Sequence, residues 1–405
     1  MNFNNYKLLR KKETLVVFFL ILFSIVVRIP VILIFGDTNL ENEWGPLVNN
    51  LINHGTLSLK NLDGFLLPNL WMPPLYAYYI YCFSLFNLEN QNFILLVLFS
   101  QILLASISVG VFYKINKNFF SEKISIFGSV LFSLLPLYLY ACAQISSISL
   151  YIFLAIFFYY YFFKIIKKQN ILSIFLFAFL GGLLILTRRE FVAILVLSSF
   201  FLFIFFKVSV KKIFLIFIIT IVTISPYLIR NALTFERIII QAGFGYNVWK
   251  ANNPNSKIEG SAIIDSNLQK RIDKIPKDKF YRINEDKIFL NEGIKYITEN
   301  PRRYILLYFK KIAAFLFIDI DSSEPNYYNI FHYIPALLLG ATSLFGIYFS
   351  NKKSHKLNYL ILIFIFYVIT FSFFAILPRY KLAIVPFQII FTSIFINYVK
   401  KFFFR

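Results

Sequence analysis

Long hydrophobic runs recur along this chain, and short polar segments separate them. The run over residues 14–35 is long enough to cross the roughly 30 Å hydrocarbon core of a bilayer as a helix. The chain is 59% hydrophobic and 20% aromatic, whereas a soluble domain is about 45–50% apolar. The pattern predicts an all-α polytopic membrane protein. The first run lacks a small-residue cleavage site, so we expect it to be a retained span rather than a signal peptide.

Ten runs are predicted to span the membrane. Two further apolar stretches, 72–86 and 304–318, are predicted to lie at the membrane interface, because counting the first of them as a span would place basic loops on the outer side. The predicted spans are residues 14–35, 92–113, 124–141, 147–165, 171–187, 190–207, 212–229, 331–349, 357–376 and 381–399.

The formal net charge of +21 is concentrated in alternate loops. With a cytoplasmic N-terminus, the basic segments "KLLRKK", "KINKNFFSEK", "KIIKK", "KVSVKK", "NKKSHK" and "KKFFFR" all fall on the inner side. This is the positive-inside pattern of membrane proteins. It accounts for the charge without nucleic acid, so we predict no nucleic-acid partner, and both termini are predicted to be cytoplasmic.

The remaining polar segments divide the chain into three parts. Residues 1–230 are predicted to form an N-terminal membrane module that includes an acidic first outer loop (36–72). Residues 231–303 are predicted to form a small extracytoplasmic polar segment, and residues 304–405 a C-terminal membrane module.

The first outer loop, "DTNLENEWGPLVNNLINHG", contains three acids, Asp37, Glu41 and Glu43. Apolar residues then recur with helical spacing, which predicts an amphipathic helix ending at Gly55 and lying on the membrane surface. The acids would overhang the cavity that the spans enclose. They are equally typical of a helix N-terminus, where carboxylates suit the helix dipole.

Cations occur at the outer turns. "LTRREF" contains Arg188 and Arg189, "SPYLIRN" contains Arg230, and "AILPRYK" contains Arg379 followed by Tyr380. Arginine forks bind phosphate oxygens in a bidentate manner. The alternative is that these side chains only extend to lipid headgroups.

An asparagine-rich loop follows the seventh predicted span. "GFGYNVWKANNPNS" combines amides with an aromatic ring, which suits sugar hydroxyls but is also typical of plain turns. Earlier, the Pro73-Pro74 pair in "LWMPPLYAYYIY" predicts the start of a helix whose tyrosines belong at the interface. The residues of the asparagine-rich loop that could contact sugar or acceptor are Asn247, Trp249, Asn252 and Asn253.

Acids and arginines on one membrane face suit transfer chemistry on a lipid-linked phosphate. A base would take a proton from an incoming hydroxyl while cations stabilise a departing phosphate. The sequence contains no P-loop, no dinucleotide glycine motif and no zinc signature. It therefore indicates no cofactor, although it does not decide whether a divalent metal assists.

Five motifs in order carry a resemblance to a family: "ENEW…NNLINHG", "MPPLY", "LTRRE", "PYLIRN…GYNVWKANNP" and "PRY". Together they cover nearly the whole chain. The chain resembles the GT-C membrane glycosyltransferases, in particular the branch of dolichyl-phosphate-mannose protein mannosyltransferases and the bacterial lipid A aminoarabinose transferase. The resemblance implies a GT-C fold, a polyprenyl-phosphate-linked sugar donor and an inverting transfer outside the cytoplasmic membrane.

The resemblance also implies residue roles. The catalytic acid would be Glu43, with Glu41 and then Asp37 as alternatives, and Trp44 would contact sugar or acceptor. The donor phosphate would be bound by Arg188, Arg189, Arg230, Arg379 and Tyr380. The family's protein mannosyltransferases carry a large domain in a late outer loop, whereas the segment here is earlier and smaller, which favours a lipid or lipid-linked glycan over a protein as acceptor.

We therefore predict an integral glycosyltransferase of a bacterial cytoplasmic (inner) membrane with its active site on the periplasmic or outer face. Its partners would be the lipid bilayer, the donor and the acceptor. The alternative is a non-catalytic transporter or flippase of a lipid-linked glycan. An O-antigen polymerase or ligase is disfavoured because the acids lie in the first outer loop. The sequence leaves open the sugar, the acceptor and the oligomeric state.

Overall fold

A computed structural model describes residues 3–40, 44–62, 65–320, 322, 329–350 and 353–403. Within these ranges the chain forms 18 helices and a single two-stranded hairpin. The helices are α1 (Phe3–Phe35), α2 (Trp44–His54), α3 (Pro74–Ser84), α4 (Asn90–Asn116), α5 (Glu122–Leu134), α6 (Pro136–Ala143), α7 (Ile148–Lys167), α8 (Ile171–Thr187), α9 (Phe191–Phe206), α10 (Val210–Phe235), α11 (Phe244–Asn252), α12 (Ser266–Asp273), α13 (Tyr281–Glu299), α14 (Pro301–Leu316), α15 (Ile330–Tyr348), α16 (His355–Phe371), α17 (Pro378–Lys381) and α18 (Val385–Phe403).

Each of the ten predicted spans falls on a helix or a broken pair of helices. Five helices of the described chain (α1, α4, α7, α10 and α15) are long and apolar enough to cross a membrane on their own. The bent pair α5–α6 gives a sixth, and α8, α9 and α16 are shorter apolar helices. The prediction of an all-α polytopic membrane protein is confirmed.

The span predicted as one helix over 124–141 is broken at Leu135. Pro136 has no amide proton, and its ring disfavours helical backbone at the preceding residue. Leu135 accordingly has ψ 119°, and the axes of α5 and α6 differ by 50°.

The basic loops gather at one end of the helix bundle. Lys12 of α1 is 3.3 Å from the carboxylate of Glu122 at the start of α5. The ammonium group of Lys212 donates a hydrogen bond to the backbone carbonyl of Gln169, which links the loops before α10 and α8. The rings of Phe205 and His355 are 5.0 Å apart and bring the start of α16 to the same end. Because each spanning helix carries the chain across the bundle, the arginine turns and the first loop lie at the opposite end.

The first outer loop contains a hairpin that the all-α prediction did not include. Strand β1 (Ser58–Leu62) pairs antiparallel with β2 (Phe65–Pro68). After the hairpin, α3 begins at Pro74, as the Pro73-Pro74 pair predicts.

The apolar face of α2 is covered by protein, which corrects the prediction of a helix lying on the membrane surface. Its buried residues are Trp44, Gly45, Leu47, Val48 and Leu51, and α2 packs against α3 and β1. Among the predicted apolar positions, Ile52 is exposed.

The segment predicted to be extracytoplasmic, residues 231–303, is helical and has a small core of its own. Helices α11, α12 and α13 enclose Trp249, Leu268, Ile272, Ile275 and Phe289. Its first residues still belong to α10, which continues past residue 230 to Phe235.

Candidate active site

The guanidinium groups of Arg188 and Arg379 both contact the aromatic ring of Tyr380, at the end of the bundle opposite the basic loops. The guanidinium carbon of Arg188 is 5.3 Å from the centre of the Tyr380 ring, and that of Arg379 is 5.5 Å from it. Arg188 also lies 4.7 Å from the ring of Tyr151 in α7. The structure therefore brings together two of the predicted phosphate-binding cations and Tyr380 from separate parts of the sequence.

The position of Arg188 follows from the end of α8. The helix ends at Thr187, Arg188 adopts an extended backbone, and α9 begins at Phe191. Glu190 in the same turn is 3.7 Å from the Arg188 guanidinium, and the Arg188 side chain is only 12% exposed. A cation in such a confined position interacts more strongly with an anion than it would in open water.

Arg189 points into the protein and holds a loop. Its Nη1 donates hydrogen bonds to the backbone carbonyls of Gln241 (3.1 Å) and Ala242 (3.3 Å). Burial lowers the pKa of Arg189, while the nearby carboxylates of Glu190 and Asp286 act in the opposite direction. This arginine fastens the segment before α11 to the turn between α8 and α9.

Arg230 similarly holds the two segments that flank the hairpin. Its guanidinium donates to the backbone carbonyls of Asn69 (3.0 Å) and Leu57 (3.4 Å), and to the side-chain oxygen of Asn231 (2.8 Å). The four predicted phosphate-binding arginines thus divide into two pairs. Arg189 and Arg230 donate to backbone carbonyls and also lie over the rings of Phe244 and Phe235, respectively. Arg188 and Arg379 instead share the ring of Tyr380.

Of the three candidate acids, only Asp37 belongs to the described residues, and Glu41 and Glu43 lie outside them. A carboxylate oxygen of Asp37 accepts a hydrogen bond from the backbone N–H of Ile145 at 2.7 Å. The backbone N–H of Asp37 donates to the carbonyl of Ala143 at 3.0 Å. Asp37 therefore joins the end of α1 to the loop between α6 and α7.

That loop also links the acidic segment to the arginine pair. Helix α17, which contains Arg379 and Tyr380, packs against α6. Tyr151, which contacts Arg188, lies in the first turn of α7, just after the loop that binds Asp37. The beginning of the first outer loop and the two arginines are consequently neighbours at one end of the bundle.

Most of the side chains predicted to contact sugar or acceptor are buried, and they pack against or donate hydrogen bonds to other parts of the protein. Trp249 is 1% exposed and packs on Phe289 with ring centres 4.7 Å apart. The side-chain amide of Asn252 donates to the carbonyls of Val248 (2.9 Å) and Phe373 (3.2 Å).

Asn253 is bound in the same way, since its amide donates to the carbonyl of Ser261 at 2.7 Å. Trp44 is also buried, with its ring 4.7 Å from that of Tyr76 in an edge-on contact. Among these five candidates only Asn247 is exposed.

Sequence reasoning missed Tyr151 and Gln101. Gln101 is fully buried in α4, where its amide donates to the backbone carbonyl of Gln144. A side-chain amide inside the apolar run "LLVLFSQILLAS" was the available signal, because such a group needs a partner in a membrane protein. Tyr151 gave no comparable signal in a segment rich in tyrosine and phenylalanine.

Within the described part of the chain, no group of three or more histidine, cysteine, aspartate or glutamate side chains is placed to hold a metal ion. The prediction concerning a metal thus stays open for the first outer loop.

Known proteins share this architecture. The sequence profile of the dolichyl-phosphate-mannose-protein mannosyltransferase family matches residues 72–229, which run from just before α3 into α10. The archaeal oligosaccharyltransferase AglB from Archaeoglobus fulgidus, solved with an inhibitory peptide and a dolichol-phosphate, superposes over 95% of this chain with a TM-score of 0.56 and 11% identity. The chain has a GT-C membrane fold.

Two further structures of the A. fulgidus oligosaccharyltransferase give the same result. The complex with Zn and sulfate matches 94% of the chain with a TM-score of 0.53 and 12% identity. The apo form matches 95% with a TM-score of 0.52 and 11% identity. This chain spans about half the length of these proteins, since it covers 49–50% of theirs. No curated protein sequence matches it.

Proposed function

We propose that this GT-C protein is a membrane glycosyltransferase that moves a sugar from a polyprenyl-phosphate-linked donor to an acceptor hydroxyl with inversion. The observation that carries the proposal is that the guanidinium groups of Arg188 and Arg379 both contact the ring of Tyr380, near the start of the acidic first loop. The GT-C fold and the family match support the same chemistry. The active site would face the outer side of a cytoplasmic membrane, since the basic loops lie at the other end of the bundle.

The first requirement of such a reaction is to hold and neutralise the departing phosphate. When the bond between the anomeric carbon and the phosphate oxygen breaks, the electron pair remains on that oxygen. Arg188 and Arg379 would stabilise this charge, because fixed cations need no reorganisation as charge develops. Arg189 and Arg230 would contribute indirectly, by fixing the loops on either side.

The second requirement is a base for the acceptor. Glu43, or alternatively Glu41, would take the proton of the acceptor hydroxyl as its oxygen attacks the anomeric carbon from the face opposite the phosphate. One carbon–oxygen bond forms and one breaks, so the configuration is inverted. Asp37 is the third candidate, and one of its oxygens already accepts the Ile145 N–H.

We further propose a lipid or lipid-linked glycan as the acceptor. The outer segment between α10 and α14 is small and has its own packed core around Trp249. Asn247 is the candidate contact on that segment that remains open to a glycan. A hydroxyl carried on a membrane lipid would reach the end of the bundle without a separate protein-binding domain.

Transfer in isolated membranes tests the proposal. Membranes containing the protein would be supplied with a panel of radiolabelled polyprenyl-phosphate sugars, and label in glycolipid would be measured. Removing one fixed donor to a developing oxyanion costs about 10²–10³ in kcat, so Arg188→Gln and Arg379→Gln should each lose activity on that scale. Arg237→Gln is the matched control, because Arg237 is exposed on the same side, outside the candidate site.

Two results would contradict the proposal. One is full transfer by the double variant Arg188→Gln/Arg379→Gln. The other is movement of the labelled lipid across vesicles with no transfer to any acceptor fraction, which would instead establish a flippase. Glu43→Gln and Glu41→Gln, tested singly and together, would identify the base.

A further inference from the structure

We propose that Gln101 is a positioning residue that clamps one segment of the first outer loop, from Asp37 to Trp44, at both of its ends, and that Asp37 is the anchor of one end rather than the base. This inference rests on the proposed function for its effect on catalysis, but the clamp itself can be measured without activity. It assigns a role to a buried amide in the middle of the fourth helix.

The first end of this segment is held at Asp37. Its carboxylate and backbone N–H bind the Ile145 N–H and the Ala143 carbonyl at 2.7 and 3.0 Å. The side chain of Gln144 donates to the carbonyl of Phe35, the last residue of α1, at 3.0 Å. Three consecutive residues, the last of α6 and the two that follow it, therefore bind the point where the first span ends.

The second end is held at Trp44, where α2 begins. The indole ring lies 4.7 Å from the ring of Tyr76, which is fully buried in α3. The Tyr76 hydroxyl donates to the side-chain oxygen of Gln101 at 2.9 Å. The start of α2 is thereby connected to the same amide in α4.

Gln101 connects the two ends through hydrogen bonds. Its nitrogen donates to the carbonyls of Gln144 (3.0 Å), in the loop that binds Asp37, and of Cys142 (3.3 Å), in the last turn of α6. A carboxamide has an acceptor oxygen and a donor nitrogen on one rigid group. Glutamine can thus accept from α3 and donate to the loop after α6 at once, which neither leucine nor an ionised glutamate can do.

The ends of the clamped segment also approach each other closely. A Cβ atom at position 45 would clash with the carbonyl oxygen of Leu40, so the backbone of Gly45 lies close to that of Leu40. Glu41 and Glu43 lie in the sequence between these two positions, so any base among them is attached to fixed points on both sides. Displacing a reactive group by about 1 Å can cost on the order of 10²-fold in rate.

The test uses the full-length protein in detergent micelles or nanodiscs. Gln101→Leu removes the acceptor, and Tyr76→Phe the donor, of the hydrogen bond between these two side chains. We expect faster hydrogen exchange of the amides of α2 and of residues 37–40, and kcat reduced roughly 10- to 100-fold with an unchanged KM for donor. Because both variants break the same link, the double variant should be about as slow as the slower single one.

Gln388→Leu is the matched control. Gln388 is another fully buried amide, and it donates to the carbonyl of Leu316, away from the first loop. It should alter overall stability without altering exchange in residues 37–54. Asp37→Asn separates anchor from base, since an asparagine oxygen can still accept the Ile145 N–H. If Asp37 is an anchor, Asp37→Asn should keep most of the activity. If Asp37 is the base, the variant should lose it.

The outcomes separate the two proposals. Unchanged exchange in Gln101→Leu overturns the clamp. Faster exchange with unchanged kcat overturns the positioning role, and loss of activity in Asp37→Asn overturns the anchor assignment. If the wild-type protein transfers no sugar at all, the proposed function fails while the exchange data still decide whether the clamp exists. If Gln101→Leu does not fold, Tyr76→Phe removes the same link with a smaller change.

Discussion

Lys311 offers a quantitative test of the packing between α14 and the end of α11. It belongs to α14, is 1% exposed, and its ammonium group donates to the carbonyl of Ala251 at 2.8 Å. Ala251 precedes Asn252 at the end of α11, so this bond ties α14 to the segment that carries the asparagine candidates. Replacing Lys311 by methionine keeps the volume and removes both the charge and the hydrogen bond.

Burial lowers the pKa of Lys311 from 10.5 to about 7. Between these two pH values the unfolded chain binds a proton that the folded chain does not, so the free energy of unfolding should increase with pH, by about 1.4 kcal/mol per unit. The full penalty, about 5 kcal/mol, applies below about pH 7, where the lysine is charged in both states. The lost bond to Ala251 should cost the variant about 1–3 kcal/mol at every pH.

Lys311→Met should therefore be more stable than wild type by about 2–4 kcal/mol near pH 6. Near pH 10, where about 0.7 kcal/mol of the penalty remains in the wild type, it should be less stable by about 0.3–2.3 kcal/mol. The measurement is the apparent melting temperature of both proteins in detergent micelles across this range. The difference between them cancels contributions from other titrating groups. Lys310→Met, an exposed neighbour on the same helix, is the control. A difference that does not depend on pH would refute the reasoning.

Two further substitutions test the packing of the bundle and of the first loop. Gly346→Ala would place a Cβ atom against the carbonyl oxygen of Phe391, where α15 packs on α18, and we expect a loss of roughly 1–3 kcal/mol, seen as a lower melting temperature. Arg230→Gln removes charged hydrogen bonds to the carbonyls on both sides of the hairpin, each worth about 1.5–3 kcal/mol. Limited proteolysis should then cut residues 55–72 faster than in Arg237→Gln, and equal cleavage rates would show that Arg230 does not hold the hairpin.

The four arginines show how a single sequence signal can cover two structural roles. All of them lie at predicted outer turns, and all were candidates for binding phosphate. Arg189 and Arg230 instead face carbonyl oxygens of neighbouring loops, whereas Arg188 and Arg379 meet at Tyr380. Sequence position gives the membrane depth of a charge but not which of its neighbours it faces.

The acidic loop shows the same limit. The sequence predicts a helix after Glu43 from apolar residues at helical spacing, and α2 is present from Trp44 to His54. It does not reveal that α3 covers the apolar face, because a hydrophobic stripe fits either protein or lipid. The hairpin was likewise missed, although its two strands are adjacent in sequence. Arg230, which donates to the Leu57 carbonyl next to the hairpin, comes from a distant part of the chain.

The sequence by itself determined the order of the apolar helices and the clustering of basic loops at one end. These follow from local hydrophobicity and from the cost of burying charge in a bilayer, which act on each segment separately. The tertiary structure decided which side chains meet: Arg188 with Arg379 at Tyr380, and Asp37 and Trp44 through Gln101. Those contacts join residues far apart along the chain, and local composition does not specify how helices rotate and pack against one another.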